Sequence, residues 1–157
     1  MRYLVLVIGI MLALAGIQTA LAEGGKAERP RCENCGMFTD ISATHSLASI
    51  TLDGKTAEHS FVCLECVFTK LAEWGDRAKL KGIKVLDYAT ATADKRKYVA
   101  VGDAWFLYDT SKLKGSMPTY TAAFASKSAA EKAKTELGGT LMQWDALKPK
   151  LLAAVED

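Results

Sequence analysis

Asp53-Gly54 separates two β-rich runs, and no other dipeptide restricts the fold of this chain so tightly. A two-residue hairpin loop needs positive φ, which Asp and Gly tolerate, so the pair is a strong turn signal. Ahead of it, Leu47, Ser49 and Thr51 alternate with Ala48, Ile50 and Leu52, the period of a strand with one buried face. Thr56 to Val62 returns as the second strand. Cys63, Cys66, Val67, Leu71 and Trp74 then fall on or near one face of a helix that Gly75 stops. A charged link from Asp76 to Lys81 leads into a third strand from Gly82 to Tyr88, so the first half reads ββαβ.

The second half repeats this order with little identity. Lys97 to Val101 and Ala104 to Tyr108 flank Gly102-Asp103, a further hairpin signal. Lys112 to Phe124 reads as loop followed by a short extended piece. Ser126 or Ser128 caps a helix through Glu136, with Glu131 as the capping-box partner of Ser128. Gly138-Gly139 ends that helix, Thr140 to Trp144 is a strand, and Asp145 caps a last helix from Ala146 to about Val155. The expected fold is α+β: two ββαβ-type halves, 32–90 and 91–157 with the C-terminal helix, packed as one compact unit.

Residues 1–22 have a basic start, an apolar run and an Ala20-Leu21-Ala22 exit, the pattern of a cleavable signal peptide. The competing reading is a retained membrane helix, since the run approaches the ~20 residues that span a bilayer. Residues 23–31 read as a flexible tether. The expected location is periplasmic, with membrane attachment only through an uncleaved signal helix. Cleavage leaves nineteen basic and eighteen acidic residues with no long run of one sign, so no nucleic-acid partner is indicated.

All four cysteines form two Cys-x-x-Cys pairs, Cys32/Cys35 and Cys63/Cys66, one on each side of the hairpin. Export favours disulfides, and the pairs also fit a structural zinc site or a thiol–disulfide carrier. Met37 alters the balance. It follows Cys35 by two residues, across a Gly36 that permits a tight turn, and sets a thioether beside thiolates. Such soft donors favour copper(I) over zinc. Met117, in the polar loop Gly115-Ser116-Met117-Pro118, is a second thioether candidate, whereas Met142 reads as core. Cys63 and Cys66 open a helix, where the dipole favours thiolate. His45 and His59 read as partly exposed or core-satisfied strand histidines, with His59, four residues ahead of Cys63, within reach of a metal there. Neither a glycine-rich phosphate loop nor a Ser-His-carboxylate or paired-carboxylate arrangement stands out, so an enzyme is not expected.

Cys32-x-x-Cys35-Gly36-Met37, Gly115-Ser116-Met117-Pro118, Phe124-Ala125-Ser126 and Gly138-Gly139-x-x-Met142 together resemble the NosL family, accessory proteins of nitrous oxide reductase maturation. The resemblance implies an exported copper(I) chaperone that serves nitrous oxide reductase alongside other envelope copper-handling proteins. It also implies two ββαβ halves similar to part of organomercurial lyase. Copper ligands implied by position are Cys35, Met37 and Met117, with Cys32 in addition. The chain departs from the family where the loop reads Gly-Ser-Met-Pro instead of Gly-Pro-Met-Gly, and its signal lacks a lipid-accepting cysteine. Phe61-Val62-Cys63-Leu64-Glu65-Cys66 also resembles the Phe-Cys-x-x-Cys element of TRASH-type modules, which brings Cys63 and Cys66 into the candidate metal set. The function expected is a copper(I) carrier, with a zinc-bound or disulfide-stapled interaction module and a thiol–disulfide carrier as alternatives.

Overall fold

The computed structural model describes residues 28–92, 94–110, 112–113 and 121–156. The signal-peptide reading and Met117 fall outside them. Strands β1 (Ser46–Leu52) and β2 (Lys55–Phe61) pair antiparallel around the Asp53-Gly54 turn, with Leu52 opposite Lys55. Asp53 has φ 50° and Gly54 φ 81°, the left-handed conformation such a loop requires. Helix α1 (Leu64–Trp74) follows, then β3 (Ala78–Leu86) returns on the far side of β1. The charged stretch expected to be a link is therefore mostly strand. Its Lys79 and Lys81 are exposed, and a register shift where β3 passes Ser49 and Ile50 absorbs one residue.

One expectation fails at Gly102-Asp103. The flanking segments do not form a hairpin: β4 (Tyr98–Ala100) pairs with β3 and completes a sheet of order β2-β1-β3-β4. A single 3₁₀ turn, Val101–Asp103, then passes the chain to β5 (Trp105–Tyr108) in a second sheet. An Asp-containing turn signal is local, whereas the choice of sheet depends on which edge is free, and β3 offers one.

The second sheet has order β6-β5-β7, from β6 (Ala122–Phe124) and β7 (Thr140–Gln143), with α2 (Lys127–Leu137) between them in sequence. Its ββαβ order and central first strand reproduce the arrangement β2-β1-β3 of the first half. Ser126 caps α2 by accepting from the Ala129 N–H at 3.2 Å. With the cap there, Glu131 stands outside the capping-box position and pairs with Lys127 at 3.5 Å instead. Helix α3 (Trp144–Glu156) starts directly after β7.

The two halves share one core. Ala48, Ile50, Phe61, Val67, Ile83 and Val85 of the first half pack in the same cluster as Phe106, Leu147 and Leu151 of the second. Trp144 joins them, its ring centre 6.1 Å from Phe68 and 6.0 Å from Phe106. This contact fixes α1, and so the cysteines at its start, against the second half.

Candidate metal centre

A knuckle precedes β1. Arg31 and Phe38 form an antiparallel bridge. Inside it the Cys32 N–H donates to the Met37 carbonyl at 2.8 Å, and the Gly36 N–H donates to the Cys32 carbonyl at 2.9 Å. Gly36 has φ 73°, where any side chain is strained. Arg31 closes the turn by donating to the Gly36 carbonyl at 3.0 Å, and the guanidinium groups of Arg29 and Arg31 lie 4.0 and 4.3 Å from the centre of the Phe38 ring.

The knuckle is docked on the end of β2. The Glu33 N–H donates to the Ser60 carbonyl at 3.0 Å. Beyond the knuckle, the Ser42 and Thr44 hydroxyls donate to the Val62 carbonyl at 2.7 and 2.8 Å. Arg96 donates to the carbonyls of Thr39, Asp40 and Ser42 and holds the intervening loop. The strand end bonded in this way runs straight into Cys63 and α1.

These attachments bring together the sulfurs of Cys32, Cys35 and Cys66, all within 4.8 Å of one another. Cys32 and Cys66 are buried, and Cys35 is half-buried. Metal–thiolate bonds of about 2.3 Å imply sulfur separations of roughly 3.8–4.0 Å around one ion, so a small contraction suffices. Cys63 is buried outside this trio. It occupies the N-cap of α1 with extended backbone (φ −158°, ψ 170°), one residue before the helix turns Cys66 toward the knuckle. Met37 is half-buried and lines a groove of ≈ 380 Å³ with Arg31, Cys35, Gly36, Phe38 and Ile41. All four cysteines are free thiols.

Burial and sulfur–sulfur hydrogen bonds keep Cys32, Cys35 and Cys66 protonated. Hydrogen bonding to Cys66, reinforced by burial, pushes Cys32 far above the ordinary thiol range, although backbone N–H groups of Cys35, Val62 and Asn34 pull the other way. A hydrogen bond from Cys32 lowers Cys66, and the Asn34 side chain adds to it, but the contact with Cys63 and burial outweigh both and push Cys66 up to about 12. Burial raises Cys35 against the Met37 N–H. A helix start was expected to favour thiolate; in the metal-free protein burial and sulfur–sulfur hydrogen bonding win.

Sequence reasoning missed Asn34, whose only signal was an amide between two cysteines. It also missed a polar chain behind the knuckle: Thr39 Oγ1 lies 2.8 Å from Ser60 Oγ, Ser60 Oγ 2.8 Å from His45 Nε2, and His45 Nδ1 2.6 Å from the Tyr98 hydroxyl. His45 is thus satisfied, as expected, although it stands one residue ahead of β1 and not within a strand. His59 sits beside the knuckle, its Nδ1 3.5 Å from Glu33 Oε1 and its ring edge-on to Trp74 at 5.3 Å, outside the sulfur trio.

The family model of NosL matches residues 26–152. The chain belongs to the NosL family. Among solved structures, the crystal structure of the copper chaperone NosL from Shewanella denitrificans matches with a TM-score of 0.55 and 21% identity, covering 73% of this chain and 87% of that one. At that identity the likeness concerns the fold: the two ββαβ units of this NosL member are the family's architecture. No curated protein matches the chain. Among the described residues, no helix is long and apolar enough to cross a membrane.

Proposed function

We propose that this NosL member is an exported, non-enzymatic copper(I) carrier that holds its cargo between the knuckle and α1 and passes it to a client copper enzyme in the periplasm, with nitrous oxide reductase as the client. The observation that carries this reading is the convergence of the Cys32, Cys35 and Cys66 sulfurs to within 4.8 Å. Three thiolates with a nearby thioether form a soft donor set suited to copper(I). The buried Cys32 and Cys66 hold the ion, while the half-buried Cys35, beside Met37 in the groove, is where an incoming thiolate or imidazole displaces a ligand. Met117 remains proposed as a closing thioether. Binding exchanges thiol protons for the ion, and transfer is ligand exchange that needs no catalytic base.

The raised thiols of Cys32 and Cys66 oppose a role as a thiol–disulfide carrier, which needs a ready thiolate. One observation favours the zinc alternative: Cys63 is buried and in hydrogen-bonding contact with Cys66, so a fourth sulfur is at hand. A copper(I) competition titration, with metal analysis of reduced protein, separates the two. The carrier reading predicts one copper(I) per chain, with Cys35→Ser and Met37→Ala each weakening binding and Cys35→Ser the more so. Stoichiometric zinc retained by four thiolates, with Met37 dispensable, would overturn it.

A further inference from the structure

We propose that His45 is a positioning residue for the sulfur cluster, acting through a one-way chain of hydrogen bonds that ties the knuckle bearing Cys32 and Cys35 to the strand end that leads into Cys66. The inference rests on the copper reading above. Thr39 Oγ1 lies 3.3 Å from the Pro30 carbonyl, an acceptor only, so Thr39 must be the donor there. Its oxygen is then left to accept from Ser60 Oγ, which spends the Ser60 proton. Ser60 Oγ in turn accepts from His45 Nε2.

A neutral imidazole that donates through Nε2 accepts at Nδ1, and the Tyr98 hydroxyl 2.6 Å away supplies that proton. The whole chain therefore runs Tyr98 to His45 to Ser60 to Thr39 to Pro30, with the Nε2–H tautomer. Burial, with the nearby Arg96 charge, lowers His45 to about 4, which keeps the ring neutral and consistent with this pattern.

The chain joins separate parts of the site. Pro30 and Thr39 flank the knuckle, and the Thr39 N–H also donates to the Pro30 carbonyl at 3.0 Å. Ser60 carries the carbonyl that anchors Glu33 and stands three residues before Cys63. His45 leads into β1, its carbonyl accepting from the Leu86 N–H at 2.9 Å, and Tyr98 opens β4. The imidazole bridges the outer strand β4 to Ser60 at the opposite edge of the sheet, at the height of the cysteines. Losing it removes the side-chain tie between the knuckle and the strand end and leaves the backbone bond from Glu33 to Ser60 and the Arg96 contacts to hold the register of Cys32 and Cys35 against Cys66.

The test uses the full chain and copper(I) itself. Competition against a chromophoric chelator and X-ray absorption of the loaded protein compare wild type with His45→Gln, His45→Phe and Tyr98→Phe, and ¹⁵N NMR reads the tautomer of the metal-free wild type. The proton is expected on Nε2. His45→Phe is expected to bind about tenfold more weakly, the lower end of the loss seen when support around a metal site is removed, with fewer sulfurs around copper. His45→Gln, whose amide can donate to Ser60 and accept from Tyr98, is expected to restore both readouts, and the near-isosteric Tyr98→Phe, which removes only the proton to Nδ1, is expected to weaken binding, which a volume or packing effect does not predict. Full affinity and sulfur count in His45→Phe, or a proton on Nδ1, would overturn the inference. Should His45→Phe not fold, Tyr98→Phe removes only the proton to Nδ1, and wild-type affinity and sulfur count there would overturn it equally. A wild type that binds no copper(I) removes the carrier reading itself, an outcome distinct from equal binding by wild type and variant.

Discussion

The two ββαβ units share a strand order but not an outfit. In the first, β1 and β2 are seven residues each and β3 nine; in the second, β5 and β7 have four and β6 three. Every cysteine and both histidines belong to the first. The second contributes Phe106, Leu147, Leu151 and Trp144 to the shared core and so holds α1 in place. One half carries the converged sulfur trio and a docked knuckle; its counterpart serves as the buttress. The difference teaches that a repeated topology supplies two similar frames, and thiol chemistry needs only one of them.

The division of labour can be broken most severely at the shared core. Phe106 is fully buried under Trp144. Phe106→Ala is expected to lose about 3–5 kcal/mol of stability, and because the core is common, urea unfolding should remain one transition. Two separate transitions would mean that the halves are independent. Gly139 comes next. It has φ 85°, and a Cβ there would lie 2.6 Å from both the Tyr108 carbonyl oxygen and Thr110 Cγ2. Gly139→Ala should cost about 1–3 kcal/mol in thermal unfolding and leave copper(I) affinity unchanged, since it disturbs only the buttress.

Alkaline pH attacks the other side of the comparison. The Cys66 thiol stays protonated up to about 12 when folded, and Cys32 is raised as well, whereas unfolded thiols ionise near 8.5. The unfolded state therefore binds fewer protons above that pH. Stability of the reduced, metal-free protein should be flat below it and fall by about 1.4 kcal/mol per pH unit for each thiol above it. Replacing both cysteines by serine should flatten the slope, as followed by denaturant midpoints. The smallest effect belongs to Ser126, whose loss as the α2 cap in Ser126→Ala should cost about 1 kcal/mol.

Much of the first half was legible because its signals are local and agree. Alternation around Ile50, the Asp53-Gly54 turn, and the helical spacing from Cys63 to Trp74 with Gly75 as terminator all mark elements present in the structure. Gly102-Asp103 misled because a turn signal says nothing about which strands it serves, and β4 found its partner in β3. At the site, Cys-x-x-Cys-Gly-Met was readable as a tight turn carrying thiols and a thioether. Which cysteine of the second pair faces it was not. That depends on helix phase relative to a docked loop: Cys63 caps, whereas Cys66 lies in the first turn. The His45 chain had no sequence signal, since its four side chains are scattered from Thr39 to Tyr98 and meet only in the folded sheet.

The central claim is that the metal is held across the knuckle and α1, and not by the Cys32-to-Met37 loop alone. X-ray absorption at the copper edge, on copper(I)-loaded wild type and Cys66→Ser, addresses it directly. The account predicts three thiolate sulfurs at about 2.3 Å in wild type and the loss of one in Cys66→Ser, with copper(I) affinity falling by more than the roughly tenfold to hundredfold that losing a partner behind a ligand costs. An identical sulfur count and affinity in Cys66→Ser would contradict it and return the site to the loop.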